Sequence, residues 1–243
     1  MRTNQDFKND ALAALRGNWT KAVLLTLLYL LLVSVATAPA TYYSSEAAAY
    51  MSENGGRSLR AMASVATDPT YLALAQRTNG ASSLTTLVSI LILLPVSVGY
   101  ANALRRLLVY KDNSLVPNTF HIAFDGYWRK VWAMLWMEIL ISLWSLLLVI
   151  PGIIKAFSYA MTPFILEDNP ELTAVECIHR SRMMMRGHKF DLFWLWLSFI
   201  GWGILCIFTA GIGFLWLVPY IETSNAAFYE EVKADYALYG GLD

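Results

Sequence analysis

Residues 126–166 read GYWRKVWAMLWMEILISLWSLLLVIPGIIKAFSYAMTPFIL, and this stretch decides the fold. Val131–Ile150 is apolar and broken only by Glu138, Pro151-Gly152 marks a turn, and Ile153–Leu166 is apolar again. A helix needs about 20 mostly apolar residues to cross a hydrocarbon core of about 30 Å. The stretch therefore reads as a helical hairpin that crosses a membrane and returns.

The same pattern recurs downstream. Residues 187–227 align with 126–166 without a gap, at an offset of 61. Gly126 meets Gly187, Ile139 meets Ile200, Gly152 meets Gly213 and Tyr159 meets Tyr220. An earlier hairpin fits the scheme, with Gly17 at its entry and Tyr100 in the tyrosine position, and the long 39–83 segment as an insertion. Repeated spacing is the signature of repeated structural units. Each returning span also holds a proline: Pro95, Pro163 and Pro219. Proline removes a backbone donor and bends a helix, and broken helices in matching positions mark binding sites in some transporters. Proline is also common in membrane helices generally.

Outside these hairpins, charge-free runs extend from Lys21 to Glu46, Arg77 to Arg105 and Asp191 to Glu222. The last is too long for one span, and Gly211 and Gly213 offer a turn in its middle. Six spans are expected, at about 20–38, 84–104, 131–150, 153–167, 190–209 and 213–231, with the first an uncleaved span rather than a signal peptide. Composition agrees. Of 243 residues, 57% are hydrophobic and 15% charged, against roughly 25% charged in soluble domains. The mean hydropathy is +0.46. The 18 basic and 18 acidic side chains balance, which argues against a nucleic-acid partner. Most Lys and Arg residues lie in the N-terminal segment, after the second span and after the fourth. Arg57, Arg60, Arg77 and Lys155 fall on the other side. The positive-inside rule then puts both termini in the cytoplasm.

Two segments read as amphipathic helices lying at the membrane surface. In 169–187, Asn169-Pro170-Glu171 is the expected helix start and Gly187 its stop. Ala174, Cys177, Ile178, Ser181, Met184 and Met185 share one face; His179, Arg182 and Arg186 share another and are candidates to contact lipid headgroups or a partner. The N-terminal segment is a weaker version, with Phe7, Ala11, Ala14 and Leu15 on one side. Arg105 and Arg106 join the candidate contacts, and either could instead pair with an acid on a neighbouring helix.

At membrane depth the sequence places Glu138, Glu222, Asn225 and, in the repeat position of Glu222, Asn102. Ionisable groups there are costly and are expected to face the bundle interior, paired, or to form a site for a proton, ion or substrate. Catalytic signatures are missing. His121, His179 and His188 lack metal-ligand spacing, no P-loop, HExxH, GxGxxG or GxSxG occurs, and Cys177 and Cys206 are poorly placed for a disulfide. No cofactor and no catalytic residue is expected. The 39–83 segment reads as an extracytoplasmic loop, with a turn at Asn54-Gly55-Gly56 and a short helix starting at Asp68-Pro69.

The motifs Pro151-Gly152, Phe157-Ser158-Tyr159 and Pro163-Phe164-Ile165-Leu166-Glu167-Asp168-Asn169-Pro170 lead into Ser181, Gly187 and Leu197-Ser198-Phe199-Ile200-Gly201-Trp202. Gly211-Ile212-Gly213, Trp216-Leu217, Pro219-Tyr220 and Phe228-Tyr229 follow, and Phe7-Lys8, Ala11, Leu15 and Gly17-Asn18-Trp19 precede. Together they resemble a bacterial integral-membrane family catalogued as domain of unknown function 975. The resemblance covers nearly the whole chain except 39–83. It implies a polytopic protein of the bacterial inner membrane and brings no established activity.

The sequence thus predicts an all-α polytopic membrane protein of one domain, 1–243. Its parts are a first hairpin (1–104, with the 39–83 loop), a second (105–168) and an amphipathic helix plus third hairpin (169–243). Its expected role is non-enzymatic: binding, scaffolding or serving as an accessory component, with membrane lipid, a membrane protein or a second copy as partner. A small transporter or permease using the polar intramembrane residues is the alternative.

Overall fold

The computed structural model describes residues 2–54 and 59–239, all helical or in turns with no strand among them. Gly55, Gly56 and Arg57, part of the expected turn and of the charge count, lie outside the described residues. Contacts divide the chain into two compact units, Met1–Leu28 with Leu94–Asp243, and Tyr29–Leu93. The boundaries at Leu28 and Leu94 fall within the first hairpin as drawn.

The smaller unit corrects the 39–83 loop. Helix α2 (Trp19–Asn54) continues through Pro39, and after α3 (Leu59–Ala66), α4 covers Pro69–Val88. Residues 40–49 are rich in alanine, the best helix former. Thr37, Thr41, Ser44 and Ser45 donate back to carbonyls three or four residues earlier, so polar side chains are satisfied without leaving the helix. Asp68 starts α4 as expected. Its carboxylate accepts from the Thr70 and Tyr71 amides and from the Tyr50 hydroxyl, and Pro69 fills the first turn. The helix then runs well past Arg77. A π-helical turn at Ser89–Leu93 precedes Pro95, a local widening that absorbs the missing proline donor.

The larger unit contains α1 (Asn4–Leu15), the start of α2, α5 (Leu94–Tyr110), α6 (Leu115–Phe124) and α7 (Tyr127–Leu147). It continues with α8 (Val149–Tyr159), α9 (Thr162–Asp168), α10 (Ala174–Met184), α11 (Lys189–Leu197), α12 (Ile200–Phe208) and α13 (Phe214–Tyr239). Five helical segments are long and apolar enough to cross a membrane: Trp19–Asn54, Pro69–Tyr110, Tyr127–Leu147, Val149–Asp168 and Lys189–Phe208. The sixth expected span falls on α13, which is not among them because Glu222, Glu230 and Glu231 interrupt its apolar run. The 190–231 stretch is two helical arms, not one, with Ala210 and Gly211 both at positive φ in the turn between them.

The surface helices are placed differently from expectation. α10 begins at Ala174, not at Pro170. Thr173 and Glu176 form a reciprocal capping box, which satisfies two amides of the first turn and takes the helix start from Asn169-Pro170. Those bonds hold the Glu176 carboxyl below its ordinary range. Ala174, Cys177, Ile178, Ser181, Met184 and Met185 are buried as the periodicity predicts, but in the protein core rather than in lipid. The Ser181 hydroxyl donates to the Ser158 carbonyl of α8. Phe7, Ala11, Ala14 and Leu15 of α1 are likewise buried in protein, and Phe7 packs edge-on to Phe228 of α13 at 5.4 Å.

The two downstream hairpins share their geometry at the offset of 61. Gly126 and Gly187 both adopt positive φ, +56° and +85°, at the entry to the rising helix. A Cβ on Gly152 would lie 2.8 Å from Ser145 Cα, and one on Gly213 would lie 2.7 Å from Cys206 Sγ. The turn expected at Pro151-Gly152 falls instead at Leu148, and Gly152 lies in the first turn of α8; it and Gly213, in the turn before α13, each press against the residue seven positions earlier, where no side chain fits. Gly152→Ala is expected to lower stability by about 1–3 kcal/mol through overpacking. Gly201→Ala, whose Cβ meets nothing within 4 Å, is expected to leave it unchanged or slightly higher. Thermal unfolding of the detergent-purified variants checks this; equal melting temperatures would contradict the close approach.

Candidate functional site

The site grows from two adjacent acids, Glu167 and Asp168, at the end of α9. Pro163 lies in the first turn of this helix; it cannot donate to the carbonyl of Tyr159, and α8 ends there, so the span Val149–Asp168 is broken at that point. Asn169 follows α9 as its C-terminal cap. The last carbonyls of such a helix need donors from elsewhere. Arg129 of α7 donates to one of them, Leu166, and to the carbonyls of Asn169 and Leu172 just beyond the helix. The chain is thus fixed where it leaves α9, and the two carboxylates project into a cluster of cations.

Arg105 of α5 holds Asp168 with both guanidinium ends, at 2.6 Å and 2.8 Å, and its Nε donates to Glu230 of α13 at 2.5 Å. Asp168 also accepts from the Tyr229 hydroxyl at 2.8 Å and from Lys233 at 2.6 Å, both on α13. The Tyr229 ring stacks on Phe164 with centroids 5.0 Å apart, and the Arg105 guanidinium lies 5.0 Å from the centre of that ring. Glu167 accepts from Arg106 at 2.8 Å and from Lys130 of α7 at 3.1 Å. Lys130, itself buried, also donates to the carbonyls of Ile122 and Asp125 at the end of α6. Side-chain exposures of 4% for Arg105 and 1% for Lys130 show that the cations at the centre are out of water. The network joins α5, α6, α7, α9 and α13.

Arg105 and Arg106 take the second of their two expected roles, pairing with acids on neighbouring helices. Those acids are Glu167, Asp168 and Glu230 rather than Glu138 or Glu222, and Arg105 is buried while Arg106 remains part-exposed. The acidic pair escaped selection because it sits at the end of an apolar run, where a boundary charge is ordinary. The one signal was its place in the Pro163–Pro170 motif.

The four polar residues expected at membrane depth are not gathered into one site. Glu138 is exposed on α7, with no ion pair among the described residues. That reverses the expectation that it faces the interior. On an all-round apolar helix, nothing local tells the core face from the outer one. Glu222 is half-buried on α13, three residues before Asn225. Asn225 accepts from the Trp196 indole of α11 at 2.9 Å. Asn102 is separate: its amide donates to the carbonyls of Val98 and Pro163. Its Oδ1 and the Thr162 hydroxyl are buried without a partner among the described residues. His179, Arg182 and Arg186 are exposed on or just after α10.

Compared with known proteins, residues 1–236 match the family model described as "Protein of unknown function (DUF975)". No curated protein and no solved structure matches the chain.

Removing one partner of a buried charge pair strands the other and costs about 3–5 kcal/mol, whereas exposed pairs contribute about 0–1 kcal/mol. Asp168→Asn and Arg105→Gln are therefore expected to lose most of the protein's thermal stability. Lys233→Gln, 45% exposed, is expected to shift it little. Melting curves in one detergent decide; a Lys233 effect as large as that of Arg105 would refute the ranking.

Proposed function

We propose that this chain, which belongs to the DUF975 family of unknown function, is a non-catalytic multi-pass component of the bacterial cytoplasmic membrane that binds or organises a partner there. The observation that carries the reading is the division of its basic residues. Arg105, Arg106, Lys130 and Lys233 are spent on internal acids and fix one helix against another. His179, Arg182 and Arg186 face outward from a helix whose other face is locked into the core. That is the arrangement of a rigid frame presenting a basic edge, suited to headgroups or to an acidic surface of another protein. In this reading both termini are cytoplasmic. The matched close approaches at Gly152 and Gly213 support descent of the second and third hairpins from one duplicated unit.

A second reading, a small permease, draws support from the Trp196–Asn225 bond with Glu222 three residues before Asn225 on α13. Polar groups within apolar helices can hold an ion or a proton. Co-purification from native membrane into nanodiscs, with mass spectrometry of protein and lipid, separates the two. A scaffold is expected to bring a stoichiometric protein partner, and to keep it in Glu222→Gln. Absence of any partner, together with ion-coupled uptake that Glu222→Gln abolishes, would overturn the scaffold reading in favour of the permease.

A further inference from the structure

A groove of about 570 Å³ runs between α8 and α11 in the larger unit. Ile153, Ile154 and Phe157 form one wall, and Phe190 and Phe193 the other. Its volume lies within the range of small-molecule sites, about 300–1,000 Å³, and its walls are almost wholly apolar. Arg186 and Lys189 close one end, at the junction where α10 passes into α11. Lys155 follows Ile154 on α8, and Arg182 lies four residues before Arg186. The Lys155 ammonium rests 4.6 Å from the centre of the Trp144 ring.

None of these four cations makes an ion pair among the described residues. The nearby acids Asp191 and Asp235 face His188 instead, at 3.6 Å and 3.7 Å. Elsewhere in this unit, clustered cations have internal carboxylates; here Arg186 and Lys189 line an apolar groove whose walls hold no acid. Like charges held together beside apolar surface are destabilising unless water or an anion offsets them. A helix surface that is apolar along the groove and cationic at one end matches a molecule that is apolar along its length and anionic at one end.

We propose that the α8–α11 groove is a binding site for an anionic phospholipid, one acyl chain lying against Ile153, Ile154, Phe157, Phe190 and Phe193 and the phosphate meeting Arg186 and Lys189. Lys155 and Arg182 add attraction at longer range. The site rests on the reading of the chain as a membrane protein with an outward basic edge, and it assigns that edge a ligand.

The test uses the full chain in mild detergent, titrated with phosphatidylglycerol or phosphatidylcholine of the same acyl composition. Retained lipid is counted by native mass spectrometry. Wild type is expected to retain phosphatidylglycerol at least about tenfold better, from two headgroup cations near the surface. Arg186→Gln/Lys189→Gln removes groups with no ion pair among the described residues, so it should fold normally and bring the two lipids within about twofold. Ile153→Trp keeps every charge and fills the groove, and should weaken retention of both. Equal retention of the two lipids by wild type would overturn the site. So would a preference surviving the double substitution, or full retention in Ile153→Trp. Displacement of the lipid by millimolar glycerophosphate would also overturn it, in favour of a soluble anion. Loss of this site leaves the protein partner of the nanodisc experiment untouched, so the two readings fail separately.

Discussion

The buried Arg105–Asp168 clasp is the interaction on which the larger unit depends. Inside a membrane, apolar side chains gain little by leaving lipid for one another, so helix association draws on close packing and polar bonds. A guanidinium and a carboxylate in such a setting cost much to desolvate, and the cost is offset only when the pair is closely fitted and backed by further hydrogen bonds. Asp168 takes the Arg105 fork, the Tyr229 hydroxyl and Lys233, while the Arg105 Nε reaches Glu230. The consequence is register more than net stability: α5, α9 and α13 have one relative position that satisfies all of these bonds.

The rest of the unit follows from that position. With α9 pinned, Arg129 can cap its end and Lys130 can reach Glu167 while closing α6. The capping box at Thr173 then sends α10 back along α8, where Ser181 meets Ser158. Close approaches at Gly152 and Gly213 let the two arms of each downstream hairpin pack directly on each other. Polar bonds fix the ends of the helices, and small residues let their backbones approach.

What could be read from the chain was what is local. Charge-free runs, glycine turns, the Asp68 cap and the buried faces of α1 and α10 all depend on residues within a turn or two of each other. What could not be read was long-range or lacked contrast. Asp168 and Arg105 are far apart in sequence, and neither is unusual alone. Glu138 lies on a helix apolar on every side, so its exposure had no periodic signal. The 39–83 segment looked like a loop because its alanines, serines and threonines are equally at home in loops and in helices. α6, Leu115–Phe124, was missed because ten residues between two spans read as a connection. Its buried Leu115, Thr119, Ile122 and Ala123 nevertheless keep helical spacing.

The basic residues show how little composition alone says about function. A topology rule weighs Arg105, Arg186, Lys130 and Lys189 alike, since each is one positive charge near a span end. Their surroundings separate them. Arg105 and Lys130 are buried with carboxylates and carbonyls in place, and their electrostatic work is complete within the fold. Arg186 and Lys189 border an apolar groove with no acid opposite. A charge whose partner lies in the same chain shapes the protein; a charge held without one shapes what the protein meets. In this chain the first kind accounts for the architecture, so function is to be sought at the second kind, on the face formed by α8, α10 and α11.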